Sequence, residues 1–336
     1  MPFLIATDEA GYGPNLGPLV VSASVWEVPE GVTAEGLFHR LEGTVRPPGP
    51  RMRPVDCAPA AAAEPLLFGD SKRLFQQGGG LGELERGLYS GLGVLGQTPR
   101  TWVELFAALD PTAVGRWGDV PWYAAFAGGP PRAVPVEADP LALEPAAGRL
   151  AAGLAAAGVR LVELSSRVVF AHEMNDGIDR LGSKGAVLSS VTLALAAAQI
   201  AALAEDDDAP VAVVCDKHGG RNRYGDLLAA HFDDAFIEIH GESRAQSVYR
   251  FGWGRRRVSF CFRSGAEECL PAALASMASK YLRELAMEAF NAFWTARVAG
   301  LKPTAGYPLD ARRFRSQIAA AAAEMGLDDR LLWRKR

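Results

Sequence analysis

Cysteine and histidine are both scarce in this sequence, and their spacing does not fit a zinc site. The four cysteines are Cys57, Cys215, Cys261 and Cys269. They form no CxxC pair, and none has a histidine at the spacing of a zinc ligand. This pattern excludes a disulfide-rich secreted scaffold and indicates buried, inert thiols in a reducing compartment.

Long apolar runs free of polar residues are also missing. The best candidate, residues 187–203, carries three hydroxyl side chains and Gln199, which predicts a buried helix rather than a membrane span. Met1 and Pro2 lead directly into an apolar strand, without the basic region of a signal peptide. We therefore expect a cytoplasmic protein that does not act at a membrane, and we expect a monomer.

A general basic excess is absent, because the formal net charge is −4. The distribution of charge is more informative. Between residues 243 and 266 the only charged residues are Arg244, Arg250, Arg255, Arg256, Arg257 and Arg263. This run predicts a face that could hold phosphates, with Arg255 as the candidate contact, and an exposed structural face is the alternative. The basic end, residues 330–336, is interpreted equally well as a frayed tail.

The order of apolar segments predicts an α/β fold with a mixed central sheet flanked by helices. Hydrophobic residues make up 49% of the 336 residues and charged residues 22%, which suits a globular protein with a sizeable core. Strand patterns near the N-terminus, at 160–169, at 211–215 and within 236–262 alternate with helical patterns. The strongest helical patterns lie at 184–203 and 271–294.

Two stretches rich in proline and glycine interrupt this order and predict long surface inserts. They cover about residues 29–65 and 111–140. We assign residues 1–300, with both inserts, to one domain, and residues 301–336 to a C-terminal helical extension.

Two adjacent carboxylates, Asp8 and Glu9, follow the first apolar strand and precede a glycine turn at residues 11–13. Acidic side chains at this position are poorly suited to packing. They are well suited to holding a divalent cation in front of a ligand that the glycine backbone approaches closely. The alternative is a solvated pair in a hairpin loop.

Asp216 resembles Asp8 in its setting, because it also ends an apolar strand and is followed by glycines. Ligands of open α/β sheets gather at the carboxyl ends of strands, so both acids could meet at one edge. Taken alone, Asp216 could equally be a helix cap or turn residue. Glu267 is a fourth candidate, with a helix N-terminal acid as its alternative, and Glu242 is a weaker rival. Carboxylates without histidine or cysteine favour Mg²⁺ or Mn²⁺ and suit two-metal hydrolysis of a phosphodiester.

Four blocks of the sequence, taken in order, resemble type 2 ribonucleases H (ribonucleases HII and HIII). DEAGYGPNLGPLVV at residues 8–21 is similar to the family's DEAGRGPLAGPVV, and GDSKRL at 69–74 to its GDSKKL. VVCD at 213–216 matches the strand that carries the third acid. Residues 257–281, with GAE and ASMASKY, resemble the stretch with the fourth acid and its helix. The resemblance implies a ribonuclease H-like fold with long inserts, in which residues 1–300 form the catalytic domain.

The resemblance also implies a role for each matched residue. The residues that would be catalytic and hold Mg²⁺ or Mn²⁺ are Asp8, Glu9, Asp216 and Glu267. The matched residues that would contact the nucleic acid are Gly11, Tyr12, Gly13, Ser71 and Lys72, and the charge distribution adds Arg255. For Ser71 a helix cap formed with Asp70 is the structural alternative. Tyr281 is interpreted as a core residue rather than a base-stacking group.

The chain departs from the family pattern at three places. Tyr12 stands where the family has Arg or Lys, and Glu267 stands where it has Asp. Lys217 and His218 follow the third acid where the family has Gly.

We expect a metal-dependent endonuclease that hydrolyses the RNA strand of RNA–DNA hybrids or of duplexes with embedded ribonucleotides. It would leave 5′-phosphate and 3′-hydroxyl ends. Two alternatives stay open. Tyr12 and the arginines near Arg255 motivate a nuclease for structured DNA on the same fold. Glu267 and the basic surroundings of Asp216 motivate a non-catalytic nucleic-acid-binding relative.

Overall fold

A mixed β-sheet organises the part of the chain that the computed structural model describes, residues 1–49, 64–75, 80–203 and 208–335. The strands are β1 (Phe3–Ala10), β2 (Leu19–Glu27), β3 (Val45–Arg46), β4 (Leu66–Leu67), β5 (Arg160–Val169), β6 (Val211–Asp216), β7 (Glu238–Glu242), β8 (Gln246–Trp253) and β9 (Arg256–Arg263). The helices are α1 (Leu37–Arg40), α2 (Ser71–Leu74), α3 (Gly82–Val94), α4 (Trp102–Leu109), α5 (Pro111–Arg116), α6 (Pro121–Ala127), α7 (Pro140–Ala156), α8 (Ala171–Leu181), α9 (Lys184–Ala201), α10 (Gly225–Ala229), α11 (Leu270–Thr295), α12 (Pro308–Glu324) and α13 (Asp329–Leu332).

Within these ranges the central sheet has seven strands in the order β5-β2-β1-β6-β9-β8-β7. Strands β1, β6 and β9 run parallel to one another, while β2 is antiparallel to both β1 and β5, and β8 is antiparallel to β9. The predicted α/β fold with a mixed central sheet flanked by helices is confirmed. Because three neighbouring strands are parallel, their carboxyl ends lie at one edge of the sheet.

Alternate residues of β1 are buried on opposite faces of the sheet, as strand geometry requires. Leu4 and Ala6 belong to the apolar core that includes α11, whereas Phe3 and Ile5 belong to the core beneath α9. A strand covered on both faces has an apolar residue at every position. This explains why the strand was visible in the sequence as a continuous apolar run.

Helix α9 is the one helix in the described ranges that is long and apolar enough to cross a membrane, by length and composition only. Only 39% of this segment is buried. Its buried face, which includes Leu193, Ala196 and Ile200, packs on the sheet. The helix predicted to be buried at residues 187–203 therefore has one buried face, and the rest of its surface is not fully buried.

The predicted surface insert at 111–140 is wrong in its first half, which forms helices that contribute to the core. Trp122 is 3% exposed, and its ring packs edge-on against Phe290 of α11 at a centroid distance of 5.2 Å. Pro111 and Pro121 occupy the first turns of α5 and α6, where proline is favourable because the missing N–H has no helical partner there. Proline therefore starts helices here. Much of the other insert, residues 50–63 with Cys57, lies outside the described residues.

The segment after residue 301 contains α12 and α13, and it packs into the same core as α11. Phe314 and Ile318 of α12 are buried there. The interpretation of residues 330–336 as a frayed tail is wrong for the described residues up to 335. The Nδ2 of Asn175 donates to the carbonyl of Trp333 at 2.8 Å, and the backbone N–H of Lys335 donates to Oδ1 of Asn175 at 2.7 Å.

Candidate metal and nucleic-acid site

The sheet register brings the first three predicted acids together. Thr7 of β1 pairs with Cys215 of β6 in the parallel ladder, so Asp8 and Asp216 come next on neighbouring strands. Strand β1 continues to Ala10 and keeps Asp8 and Glu9 paired with β2. The two carboxylates therefore belong to a central strand, and the hairpin-loop alternative is wrong.

Glu267 joins this group from the end of β9. Arg263, the last residue of β9, pairs with Asp216, and Glu267 lies in a 3₁₀ turn four residues further on. The backbone N–H groups of Gly265 and Ala266 hydrogen-bond the Asp216 carboxylate. The turn therefore holds Asp216 while it carries Glu267 to the same edge.

All four acids have raised pKa values, and burial is the largest cause for each. Burial, then repulsion from Glu9, raises the pKa of Asp8 well above its usual range. Burial, then repulsion from Asp216, raises the pKa of Glu9 to about 7. The pKa values of Asp216 and Glu267 are also raised by burial, with Asp216 adding repulsion at Glu267. Four mutually repelling carboxylates need a cation to be ionised together.

The donor chemistry at this edge fits a hard divalent cation. All four side chains offer only oxygen, which Mg²⁺ and Mn²⁺ prefer. Oδ1 of Asp216 is buried and has no hydrogen-bond partner among the described residues, a costly state that a bound cation would relieve. Across the described ranges no three His, Cys, Asp or Glu side chains are grouped so that they could hold an ion as they stand. Carboxylates that no cation compensates repel one another, which favours larger distances between their oxygens.

Lys72 is a basic residue that interacts electrostatically with the acids. Burial lowers its pKa, but the carboxylates of Asp70, Asp8, Glu9 and Glu267 outweigh burial and raise it. Helix α2 presents this side chain, and Asp70 caps the helix by accepting the N–H of Lys72 at 2.9 Å. The predicted helix cap is confirmed, and it is what places Lys72 beside the acids.

Ser71 lies behind the carboxylates instead of facing a ligand. It is 4% exposed, and its hydroxyl accepts a hydrogen bond from Ser276 at 3.0 Å. Burial raises the pKa of Asp8, and the neighbouring Ser276 hydroxyl lowers it. Ser279 donates to the Asp8 carbonyl at 3.0 Å. The two α11 serines were missed as site residues, although their spacing of three within ASMASKY puts them on one helix face toward β1.

The glycine turn after β1 has a conformation that only glycine suits at its first position. Gly11 has φ +90°, and a Cβ there would lie 2.5 Å from the carbonyl oxygen of Pro18. Tyr307, which the sequence analysis missed, lies on the exposed side of this turn. Its ring atom Cε1 is 4.0 Å from a Cβ built on Gly13, and the residue is 57% exposed.

Two buried arginines hold the inner side of the same turn. Arg283 of α11 donates to the carbonyls of Pro18 at 2.7 Å and Leu16 at 3.4 Å. Arg334, fully buried, donates to the carbonyls of Gly11 at 2.5 Å and of Pro14. Burial, with repulsion from Arg283, lowers the pKa of Arg334 to about 9. Nothing in the local sequence signals that Arg334 reaches this turn.

Arg255 is not brought to the acids. It lies in the β8–β9 turn, in the wall of a cavity that also contains Met1 and Val211, at the amino edge of the parallel strands. Strand β9 runs from there to Arg263, beside Asp216, a distance of about 23 Å for seven residues. Arg255 therefore lies at the opposite edge of the sheet from the acids, and a contact between Arg255 and phosphate stays a prediction.

Glu242 and Tyr281 have structural partners of their own. Glu242 accepts a hydrogen bond from the Tyr249 hydroxyl at 2.5 Å and faces Arg223 at 3.7 Å. Glu267, and not Glu242, interacts electrostatically with Glu9. The hydroxyl of buried Tyr281 donates to Glu85 at 2.5 Å, so the interpretation of Tyr281 as a core residue is confirmed.

Three solved structures are similar to this chain. The chain is similar to ribonucleases H. The ribonuclease H2 of Pyrococcus horikoshii OT3 is 11% identical, with a TM-score of 0.41 over 98% of this chain and 92% of that chain. RNase HII from Archaeoglobus fulgidus, solved in a PCNA:RNase HII complex, is 12% identical, with a TM-score of 0.39 over 99% and 94%. Bst-RNase HIII, solved in complex with Mn²⁺, is 14% identical, with a TM-score of 0.38 over 99% and 66%.

No protein-family model and no curated protein sequence matches the chain. At these identities and TM-scores the likeness to ribonucleases H carries no conclusion about activity. The function is argued from this chain's own residues.

Proposed function

We propose that the chain is a metal-dependent endonuclease that hydrolyses the RNA strand of RNA–DNA hybrids or of duplexes with embedded ribonucleotides. The observation that carries this proposal is the meeting of Asp8, Glu9, Asp216 and Glu267 at one sheet edge, beside a glycine turn. An all-carboxylate donor set with an unpartnered buried oxygen on Asp216 suits Mg²⁺ or Mn²⁺.

In this proposal the four acids hold the ion or ions. When bound, the metal activates a water molecule and neutralises the leaving oxygen. Water adds to phosphorus, the bond from phosphorus to the 3′ oxygen breaks, and that oxygen takes a proton. The products are a 3′-hydroxyl and a 5′-phosphate. Lys72, charged and next to the acids, pairs with a non-bridging phosphate oxygen during this step.

Recognition of the ribose is assigned to the glycine turn. The Gly11 carbonyl points inward to Arg334, and in a planar trans peptide the N–H of Tyr12 then points the opposite way, toward solvent. That N–H is placed to donate to a 2′-hydroxyl, the group that separates RNA from DNA. The exposed ring of Tyr307 provides an apolar face for the neighbouring sugar or base.

The test is cleavage of a labelled duplex that carries one embedded ribonucleotide, by the purified full chain with Mn²⁺. Wild type is expected to cut at the ribonucleotide, and Asp8→Asn is expected to lose about 10²–10³-fold in rate, the loss found when one main electrostatic group is removed. Glu242→Gln is the matched control, because that acid lies outside the cluster. Absence of wild-type cleavage, or equal cleavage by Asp8→Asn, contradicts the proposal. Equal cleavage of the all-DNA duplex favours the alternative of a DNA nuclease.

A further inference from the structure

A cavity of 590 Å³ opens beside the glycine turn. It is lined by Tyr12, Gly182, Ser183, Lys184, Gly185, His218, Gly219, Gly220 and Arg221. None of these described lining residues is acidic, and two of them carry positive charge. The cavity therefore has the electrostatic character of an anion site, although the neighbouring sheet edge is strongly acidic.

Tyr12 is the wall shared by the cavity and the acidic edge. Burial raises the pKa of Tyr12, Glu9 raises it further, and Arg221 lowers it. The phenol therefore interacts electrostatically with Glu9 of the acidic edge and with Arg221 of the cavity. Its hydroxyl extends between two glycines. A Cβ on Gly219 would lie 2.8 Å from that hydroxyl and a Cβ on Gly185 would lie 3.5 Å from it. A side chain at Gly219 would therefore clash with the Tyr12 hydroxyl, whereas one at Gly185 would only contact it.

Lys184 is held at the glycine turn through this aromatic ring. Its Nζ lies 5.7 Å from the centroid of the Tyr12 ring, a cation–π distance. The turn itself, residues 11–13, carries no charged side chain. Lys184, at the start of α9, therefore brings a positive charge to the turn on this side.

The opposite wall supplies a second cation and an array of backbone groups. Nε of Arg221 is buried without a hydrogen-bond partner in the described ranges. Gly219 and Gly220 both have positive φ, +59° and +80°, which turns successive peptides in a way that side chains would resist. His218 is 2% exposed, and its Nδ1 is engaged with the Ser189 hydroxyl at 3.0 Å. Burial lowers the pKa of His218 to about 3, so this ring is neutral.

We propose that this cavity binds a backbone phosphate of the nucleic-acid substrate, and that Lys184 supplies the charge that the glycine turn lacks. The proposal rests on the proposed function for its choice of substrate. A phosphate held here lies on the far side of Tyr12 from the acids, so it belongs to a nucleotide next to the cleaved one. The cavity then fixes the register of the strand, because phosphate contacts position a duplex without reading its sequence.

The experiment measures binding without cleavage, in full-length chains that also carry Asp8→Asn. A fluorescent duplex with one embedded ribonucleotide is titrated at several KCl concentrations. Lys184→Gln is expected to weaken binding about tenfold and to reduce the salt slope by about one, as loss of one phosphate contact does. Lys184→Arg keeps the charge and is expected to keep the affinity. Adding Tyr12→Arg to Lys184→Gln moves the charge onto the turn and is expected to restore most of the affinity.

Lys302→Gln, at an exposed lysine distant in sequence from the cavity, is the matched control for loss of one charge. The proposal is overturned if Lys184→Gln binds like Lys302→Gln with an unchanged salt slope, or if Tyr12→Arg restores nothing. Thermal melting of each variant identifies a folding defect, and Lys184→Arg still decides the question if Lys184→Gln unfolds. If wild type cuts no substrate, the proposed function fails, whereas the dependence of duplex binding on Lys184 is still measured.

Discussion

Arg334 donates a hydrogen bond to the carbonyl of Gly11 at 2.5 Å, across 323 residues of sequence. The same guanidinium bonds the carbonyl of Pro14, and the backbone of Arg334 exchanges hydrogen bonds with Asn15 at 2.9 and 3.1 Å. The inner side of the glycine turn is therefore completed by a residue from the far end of the chain. This arrangement decides which way the Gly11 peptide faces.

Replacing Arg334 by Met is expected to leave the carbonyls of Gly11 and Pro14 without their side-chain donor. The cost is about 1–3 kcal/mol of folding stability for each buried group that is not rehydrated. Turnover on the embedded ribonucleotide is expected to fall more than the Michaelis constant changes, since the Tyr12 N–H loses its orientation. Millimolar guanidinium is expected to restore part of the rate. Arg312→Met, an exposed arginine of α12, is the control, and an equal effect there contradicts the prediction.

Asp216→Asn is expected to separate stability from activity. The substitution removes a negative charge that repels Glu9 and Glu267, so the metal-free protein is expected to melt at the same or a higher temperature. Cleavage and Mn²⁺ binding are expected to be lost, because Asp216 carries the unpartnered oxygen. Calorimetric titration with Mn²⁺ and a thermal melt check the two halves. A large drop in metal-free melting temperature contradicts this account.

The stability of the metal-free protein is expected to fall as pH rises from about 4.5 to 7. The pKa of Glu9 is raised from its ordinary value of 4.5 to about 7, so the folded state binds the proton more tightly than the unfolded chain. That advantage is present at low pH and is lost as pH passes the folded pKa. Mn²⁺ is expected to stabilise the protein at pH 7.5 by binding the ionised acids. Melting curves across pH with and without Mn²⁺ test this, and identical pH profiles contradict it.

Tyr307→Ala is expected to weaken substrate binding without changing folding stability. The ring is 57% exposed beside Gly13, so its removal leaves no cavity in the core. Loss of one stacking face is expected to cost about 1–3 kcal/mol in binding. Tyr307→Phe keeps the ring and is the matched control. Equal affinities of the Ala and Phe variants for the ribonucleotide-containing duplex contradict a stacking role.

The central sheet and three of its acids could be predicted because their signals are local. Strands β1 and β6 are buried on both faces, so they appear as apolar runs, and Asp8, Glu9 and Asp216 stand where those runs end. The assignment of Glu267 as the fourth acid was supported by the order of the four sequence blocks. The position of Arg255 was open to deduction, because the turn before β9 must lie at the opposite edge of the sheet from the end of β9 near Asp216.

The remaining features depend on contacts that no local pattern encodes. Trp122 is in the core because it meets Phe290 of α11, although its neighbours have the composition of a loop. Ser71 matched a substrate-binding motif, yet packing against Ser276 buries it. Arg334 reaches the glycine turn only through the docking of α13 and the residues after it on α8. Tertiary packing determines the burial and the contacts of each of these three residues.

The contact between Arg334 and Gly11 also sets an order of events during synthesis. Translation makes the glycine turn first, and its arginine partner follows the seven described strands of the central sheet. On the ribosome the acids can already meet while the turn beside them still lacks its inner support. The turn would then gain its inner support in a late step, when Arg334 has been made and docks.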